Sequence, residues 1–139
     1  MSNATKGIDT AQAMGGGVRA SSHVVKAGST VYAGTMVAVG TDGYAVPAAD
    51  AAGLQVVGIA QSTASAGETV RVVAGDVWVN IYPSSGMSIG SSIRSKAYVK
   101  TDNEVALAGE VTNNILAGVV YDFSAAGKAR VDVGGGAKA

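Results

Sequence analysis

The chain has 139 residues, in which ten Lys and Arg balance ten Asp and Glu, and it has no cysteine. That length suits one compact domain. A formal net charge of zero offers no positive excess to release counterions from a phosphate backbone, so nucleic acid is not expected as a partner. The missing thiols remove disulfides, thiolate catalysis and Cys-ligated metal sites.

Only 14% of the residues are charged and 20 are glycine, the first well below and the second about twice the usual share. The surface is therefore expected to be Ser, Thr, Gly and Ala, which favours contact with other copies or partners. Residues 1–22 are small and polar, carry Gly15-Gly16-Gly17 and show no sustained period of 2 or 3.6. They read as a flexible N-terminal arm ahead of a single all-β domain over 23–139. Such an arm can order on a partner by adding backbone hydrogen bonds at a sheet edge. The glycine triplet is not read as a phosphate loop, because no helical pattern and no Lys-Ser/Thr pair follow it. The start of the chain lacks the apolar stretch of a secretory signal, and no apolar run approaches the roughly 20 residues that span a bilayer. The expectation is a soluble protein made in a cytoplasm, with no membrane partner.

From Ser22 onward, short β-prone runs alternate with Gly, Asp, Asn and Ser. The predicted strands are His23–Val25, Thr35–Val39, Tyr44–Val46, Gln55–Gln61, Thr69–Ala74, Val77–Tyr82, Ala97–Lys100, Val105–Leu107, Leu116–Phe123 and Ala129–Val133. Alternation is clearest over 77–82, where Val77, Val79 and Ile81 take one face and Trp78, Asn80 and Tyr82 the other. Thr41-Asp42-Gly43 and Thr101-Asp102-Asn103 read as hairpin turns. Pro47 and Pro83 fall at strand ends. Ala48–Ala52 reads as a single helical turn stopped by Gly53.

A shift of sixty residues superposes Thr41-Asp42 on Thr101-Asp102, Val39 on Val99, Gly58 on Gly118, Ala66-Gly67 on Ala126-Gly127, Val73 on Val133 and Gly75 on Gly135, without a gap. This pseudo-repeat, about 28–75 and 86–135, predicts two similar half-units packed into one small β-barrel or β-tulip-like sandwich.

Groups able to do chemistry are few: one His, three Glu and seven Asp, most of the acids beside turn residues. Asp42 and Asp102 are explained as turn formers. Gly86-Met87-Ser88-Ile89-Gly90 matches the spacing of a nucleophile elbow, but no helical pattern follows it and His23 precedes the serine, contrary to the chain order of that fold's triad. His23 beside Val24-Val25 reads as an ordinary strand residue. Arg94, Lys96 and Lys100 share strand parity and make a small basic stripe or a solvated edge. No enzyme, cofactor or metal site is expected. The candidate interface is Trp78, Tyr82, Met87, Tyr121 and Phe123, with Val18 and Arg19 at the end of the arm.

Between Ala27 and Gly136 the chain resembles the capsid cement, or head decoration, proteins of tailed bacteriophages. The resemblance rests on Ala27-Gly28-Ser29-Thr30-Val31 leading to Val37-Ala38-Val39, on Val56-Val57-Gly58-Ile59-Ala60, on Ala66-Gly67-Glu68-Thr69-Val70-Arg71-Val72 and on Ala125–Val133. It implies a β-barrel-like or β-tulip-like homotrimer on the capsid surface of a virion, with the major capsid protein as partner. It carries over no individual site residue. The alternatives are a β-barrel module for sugars or cell surfaces, with Trp78, Tyr82 and Tyr121 as a stacking platform, and a tail or tube subunit.

Overall fold

Runs of Val and Ala, cut by Gly and Asp, favour pleated backbone with one or both faces buried. The computed structural model describes residues 19–84, 86–88, 92–123 and 127–133, excepting the side chains of 75–81. It is all-β, with no helix among the described residues. The strands are β1 (Arg19–Val24), β2 (Thr30–Val31), β3 (Met36–Val39), β4 (Ala45–Pro47), β5 (Gln55–Ala60), β6 (Ala64–Ser65), β7 (Thr69–Pro83), β8 (Lys96–Thr101), β9 (Glu104–Ala106), β10 (Leu116–Phe123) and β11 (Ala129–Val133).

The long strand β7 belongs to two sheets. Its first part pairs antiparallel with β1, Arg19 opposite Ala74 through Val24 opposite Thr69, and with β5, which continues to β3 and β4. Its second part pairs antiparallel with β11, which continues to β10, β8 and β9. A parallel contact joins Pro83 to Val105, and another joins Val25 to Ala45. A separate two-stranded sheet pairs β2 with β6.

The layers are sandwich-like because β3 and β5 are covered on both faces. Val37 and Ala60 pack with Val25, Val31, Ala45, Ala64, Val70 and Val72 in one cluster. Met36, Ala38, Val56 and Ile59 face the other way, into a larger cluster with Val99, Val105, Val120, Val131 and Val133 of the second sheet. Strands buried on both sides have to be apolar without alternation, as Met36-Val37-Ala38 is, with all three at 0% exposure.

Several registers recur sixty residues apart. Met36 opposes Ile59 as Lys96 opposes Val119, Val37 opposes Gly58 as Ala97 opposes Gly118, and Ala38 opposes Val56 as Tyr98 opposes Leu116. Both ladders skip one residue at the same place, Val57 and Ala117. The two aligned glycines have a common cause: a Cβ on Gly58 would stand 2.5 Å from the Val73 carbonyl oxygen, and one on Gly118 would collide with the Asp132 carbonyl oxygen.

The structure departs from the sequence reading at several points. The sheet begins at Arg19 rather than His23, so the last residues of the expected arm form β1, an edge strand with five of six residues exposed. The runs 69–74 and 77–82 are one strand, since Gly75 and Asp76 are paired to Val133 and Asp132. Residues 48–52 form no helical turn: Ala48 is buried in the larger cluster, and Asp50 is drawn towards another loop. The remaining arm residues, 1–18, lie outside the described residues.

Gly118→Ala is expected to cost at least about 2 kcal/mol and lower the melting temperature by several degrees, without loss of the all-β circular dichroism signal. Unchanged melting contradicts the close approach to Asp132.

Candidate functional site

The outer face of the second sheet gathers aromatic rings and cations. On β10, Ala117 and Val120 are buried, and a bulge between Val120 and Asp122 leaves Tyr121 as an extra residue beside Arg130 of β11. The Tyr121 ring is 38% exposed. Arg130 lies between buried Ala129 and Val131, so alternation turns it outward, and its guanidinium carbon stands 5.7 Å from the centre of the Tyr121 ring.

A second guanidinium meets the same ring. Arg94 occupies the turn before β8 at φ +71°, its N–H donates to the Val120 carbonyl at 2.7 Å, and its guanidinium carbon is 5.6 Å from the ring centre. Close by, the Lys128 ammonium lies 5.3 Å from the centre of the Tyr82 ring, which is 45% exposed at the end of β7. Lys128 immediately precedes β11 and is two positions from Arg130, at most about 7 Å along the chain, so the two ring–cation pairs are neighbours. Lys96 is exposed on the adjoining β8, while Asp122 and Asp132 add two carboxylates beside the cations. A cation on an exposed ring contributes about 0.5–1 kcal/mol.

Of the residues predicted for an interface, Tyr82 and Tyr121 are on this face. Phe123 is half-buried and packs against the larger core cluster. Met87 requires correction: at 7% exposure it belongs to that core and presents little surface. Its flexible side chain joins the cluster that also holds Ile115 and Ala48, a common use of methionine. Arg19 is exposed on β1, in the other sheet. Val18 and the Trp78 side chain lie outside the described residues. Sequence reasoning noticed Arg94 and Lys96 by parity but did not place them beside Tyr121. It passed over Lys128 and Arg130, although Ala129-Arg130-Val131-Asp132-Val133 has the alternation that turns Arg130 outward.

The acidic groups away from this face act as loop staples. Asp50 accepts hydrogen bonds from the Thr112 and Asn113 N–H groups, both at 2.8 Å, tying together loops more than sixty residues apart. Glu110 accepts from the Ser84 hydroxyl at 2.7 Å and the Leu107 N–H at 2.8 Å. Asp42 accepts from the Tyr44 N–H and pairs with Lys26 at 3.0 Å, which fits its reading as a turn former. These bonds favour the charged form and hold all three carboxyls below their ordinary values: Asp50 chiefly through Thr112 and Asn113, Glu110 through Ser84 and Leu107, Asp42 through Tyr44 and Lys26. His23 is a half-buried strand residue with Nε2 2.9 Å from the Ser21 hydroxyl. Among the described residues, no three of His, Cys, Asp and Glu converge as a metal site would require.

Comparison with known proteins returns no match: no family model, curated protein or solved structure is significantly similar to this chain.

Carboxyls held low in the folded state stabilise it above their ordinary values, and that contribution disappears as pH falls through the folded-state values. The melting temperature is therefore expected to be insensitive to these groups above about pH 4.5 and to fall as the solution is acidified from there. Asp50→Asn should lower the melting temperature at neutral pH and flatten the acid limb, as calorimetry across pH 2–7 would show. An unchanged acid limb contradicts the stapling role.

Proposed function

We propose that the chain is a structural virion protein of a tailed bacteriophage, which binds the outer surface of the assembled capsid as a homotrimer and stabilises the shell by bridging coat subunits. The observation that carries this reading is the exposed face of Tyr121, Tyr82 and their cations on a small, charge-balanced all-β domain. Tyrosine and arginine are enriched where proteins meet, and a ring already held by guanidinium groups loses little freedom on docking. The resemblance of residues 27–136 to capsid cement proteins points the same way. Three linked copies would add avidity to contacts that are weak singly, which suits a protein holding together a shell under internal pressure.

The same reading takes the domain as two similar half-units, about 28–75 and 86–135, packed into one small β-barrel or β-tulip-like sandwich. Its support is the set of strand registers that recur sixty residues apart, with a bulge at the same place in both. Residues 1–18 lead into the exposed edge strand β1, and in this reading they extend the contact to the coat. The exposed Tyr82 and Tyr121 rings also suit a sugar-stacking module. Saturable, sugar-specific quenching of protein fluorescence in a glycan titration would support that function and contradict the capsid reading.

Purified chain is expected to pellet with expanded, undecorated capsids of the phage whose genome encodes it, and to raise their resistance to heat. Chain left in the supernatant contradicts the proposal. Light scattering is expected to give a species near three times the 13.6 kDa chain mass. A strict monomer at all concentrations, on capsids as well as in solution, contradicts the trimer.

A further inference from the structure

The turn that carries Arg94 has a counterpart sixty residues earlier, built by the same backbone hydrogen bonds. Gly34 N–H donates to the Ala60 carbonyl as Arg94 N–H does to Val120; Ala60 N–H donates to Thr35 as Val120 does to Ser95; Thr35 N–H donates to Tyr32 as Ser95 does to Ser92. The first turn has glycine at φ +84°, the second arginine at φ +71°. A side chain in the left-handed region costs about 1–2 kcal/mol, and the first turn shows that this backbone accepts the residue without that cost.

The contact of Arg94 with Tyr121 does not account for the exchange, since an exposed cation–ring pair contributes about 0.5–1 kcal/mol. The neighbouring positions differ in the same direction. Met36, fully buried in β3, corresponds to exposed Lys96 in β8, and exposed Gln61 corresponds to Tyr121. Gln61 accepts from the Arg71 side chain at 3.1 Å, whereas the bulged Tyr121 ring meets Arg130, one residue before the position that corresponds to Arg71. One framework thus presents glycine, methionine and glutamine in one sheet and arginine, lysine and tyrosine in the other. Strain retained at an exposed position with a clustered charge marks a binding site.

We infer that Arg94, Lys96 and Tyr121 form a site for an acidic peptide segment of the protein on which the chain docks, an inference that rests on the capsid-binding reading. Charge selects the ligand. Arg94 and Lys96 are both exposed, and among the described residues neither makes an ion pair, so their charge is open to an anionic partner. The guanidinium fork of Arg94 matches a carboxylate, and the Tyr121 ring gives an apolar side chain a surface between charges. The two resident carboxylates, Asp122 and Asp132, disfavour the continuous charge of a nucleic acid backbone.

The test is fluorescence anisotropy with the full-length chain and a labelled peptide of alternating Glu and Leu, with a Lys–Leu peptide and a single-stranded oligonucleotide as comparisons. The acidic peptide is expected to bind, several-fold more weakly when salt rises from about 50 to 200 mM. Arg94→Gly is expected to weaken binding at least about tenfold, the effect of losing a charge-assisted contact, while melting at the same or a higher temperature because the turn regains its preferred residue. Tyr121→Ala is expected to weaken binding as well. Absence of acidic-peptide binding, full binding by Arg94→Gly, or tighter binding of the oligonucleotide would each overturn the inference. Capsid pelleting measured in parallel separates the two readings: a chain that pellets with capsids but ignores the peptide loses the acidic-segment inference alone.

Discussion

One uninterrupted strand organises this protein. Over fifteen residues β7 gives its first part to the sheet of β1, β5, β3 and β4 and its second to the sheet of β11, β10, β8 and β9. Gly75 and Asp76, a dipeptide that elsewhere would end a strand, stay extended because Val133 and Asp132 pair with them. A chain that passes from one sheet to the other without a turn leaves little freedom between them. The position of β11, and with it of Arg130 and Lys128, follows from that continuity.

Small residues do the rest. Because β3 and β5 are covered on both faces, the partition between the two core clusters is made of Val, Ala, Ile and Met with hardly a polar side chain. Gly58 and Gly118 let neighbouring strands approach more closely than any side chain would allow. With the interior filled by valine and alanine, the few rings and cations are left for the outer surface. Tyr121 reaches it through a bulge, and Arg94 through a turn that would be less strained with glycine. The face is thus assembled from residues that contribute little to the interior, which is why its substitution is expected to change binding more than folding.

Much of this architecture was legible in the residues. Alternation and turn chemistry located most of the strands, and Thr41-Asp42-Gly43 and Thr101-Asp102-Asn103 do connect β3 to β4 and β8 to β9. The strands β2 and β6, two residues each, were not legible, because a pair so short has no periodicity and exists only through its partner. The break expected at Gly75 and the helical turn expected at Ala48–Ala52 were both local propensities overridden by tertiary pairing. Met87 was misjudged because a large apolar residue between glycines looks the same in sequence whether it faces solvent or core. The ring–cation face was half legible: exposure of Tyr82 could be anticipated from the strand face opposite Val77, Val79 and Ile81, whereas the exposure of Tyr121 and the meeting of Arg94 and Arg130 on its ring depend on a bulge and a turn nearly thirty residues apart along the chain.

We propose that this face turns towards a capsid. Electron cryomicroscopy of undecorated, expanded capsids incubated with the chain tests it most directly. Density is expected on the outside of the shell at the joints between coat subunits, with three copies about each site and the strands β8, β10 and β11 turned to the coat. Bare capsids, density confined to the inner surface, or copies whose Tyr121 face points to solvent would contradict it.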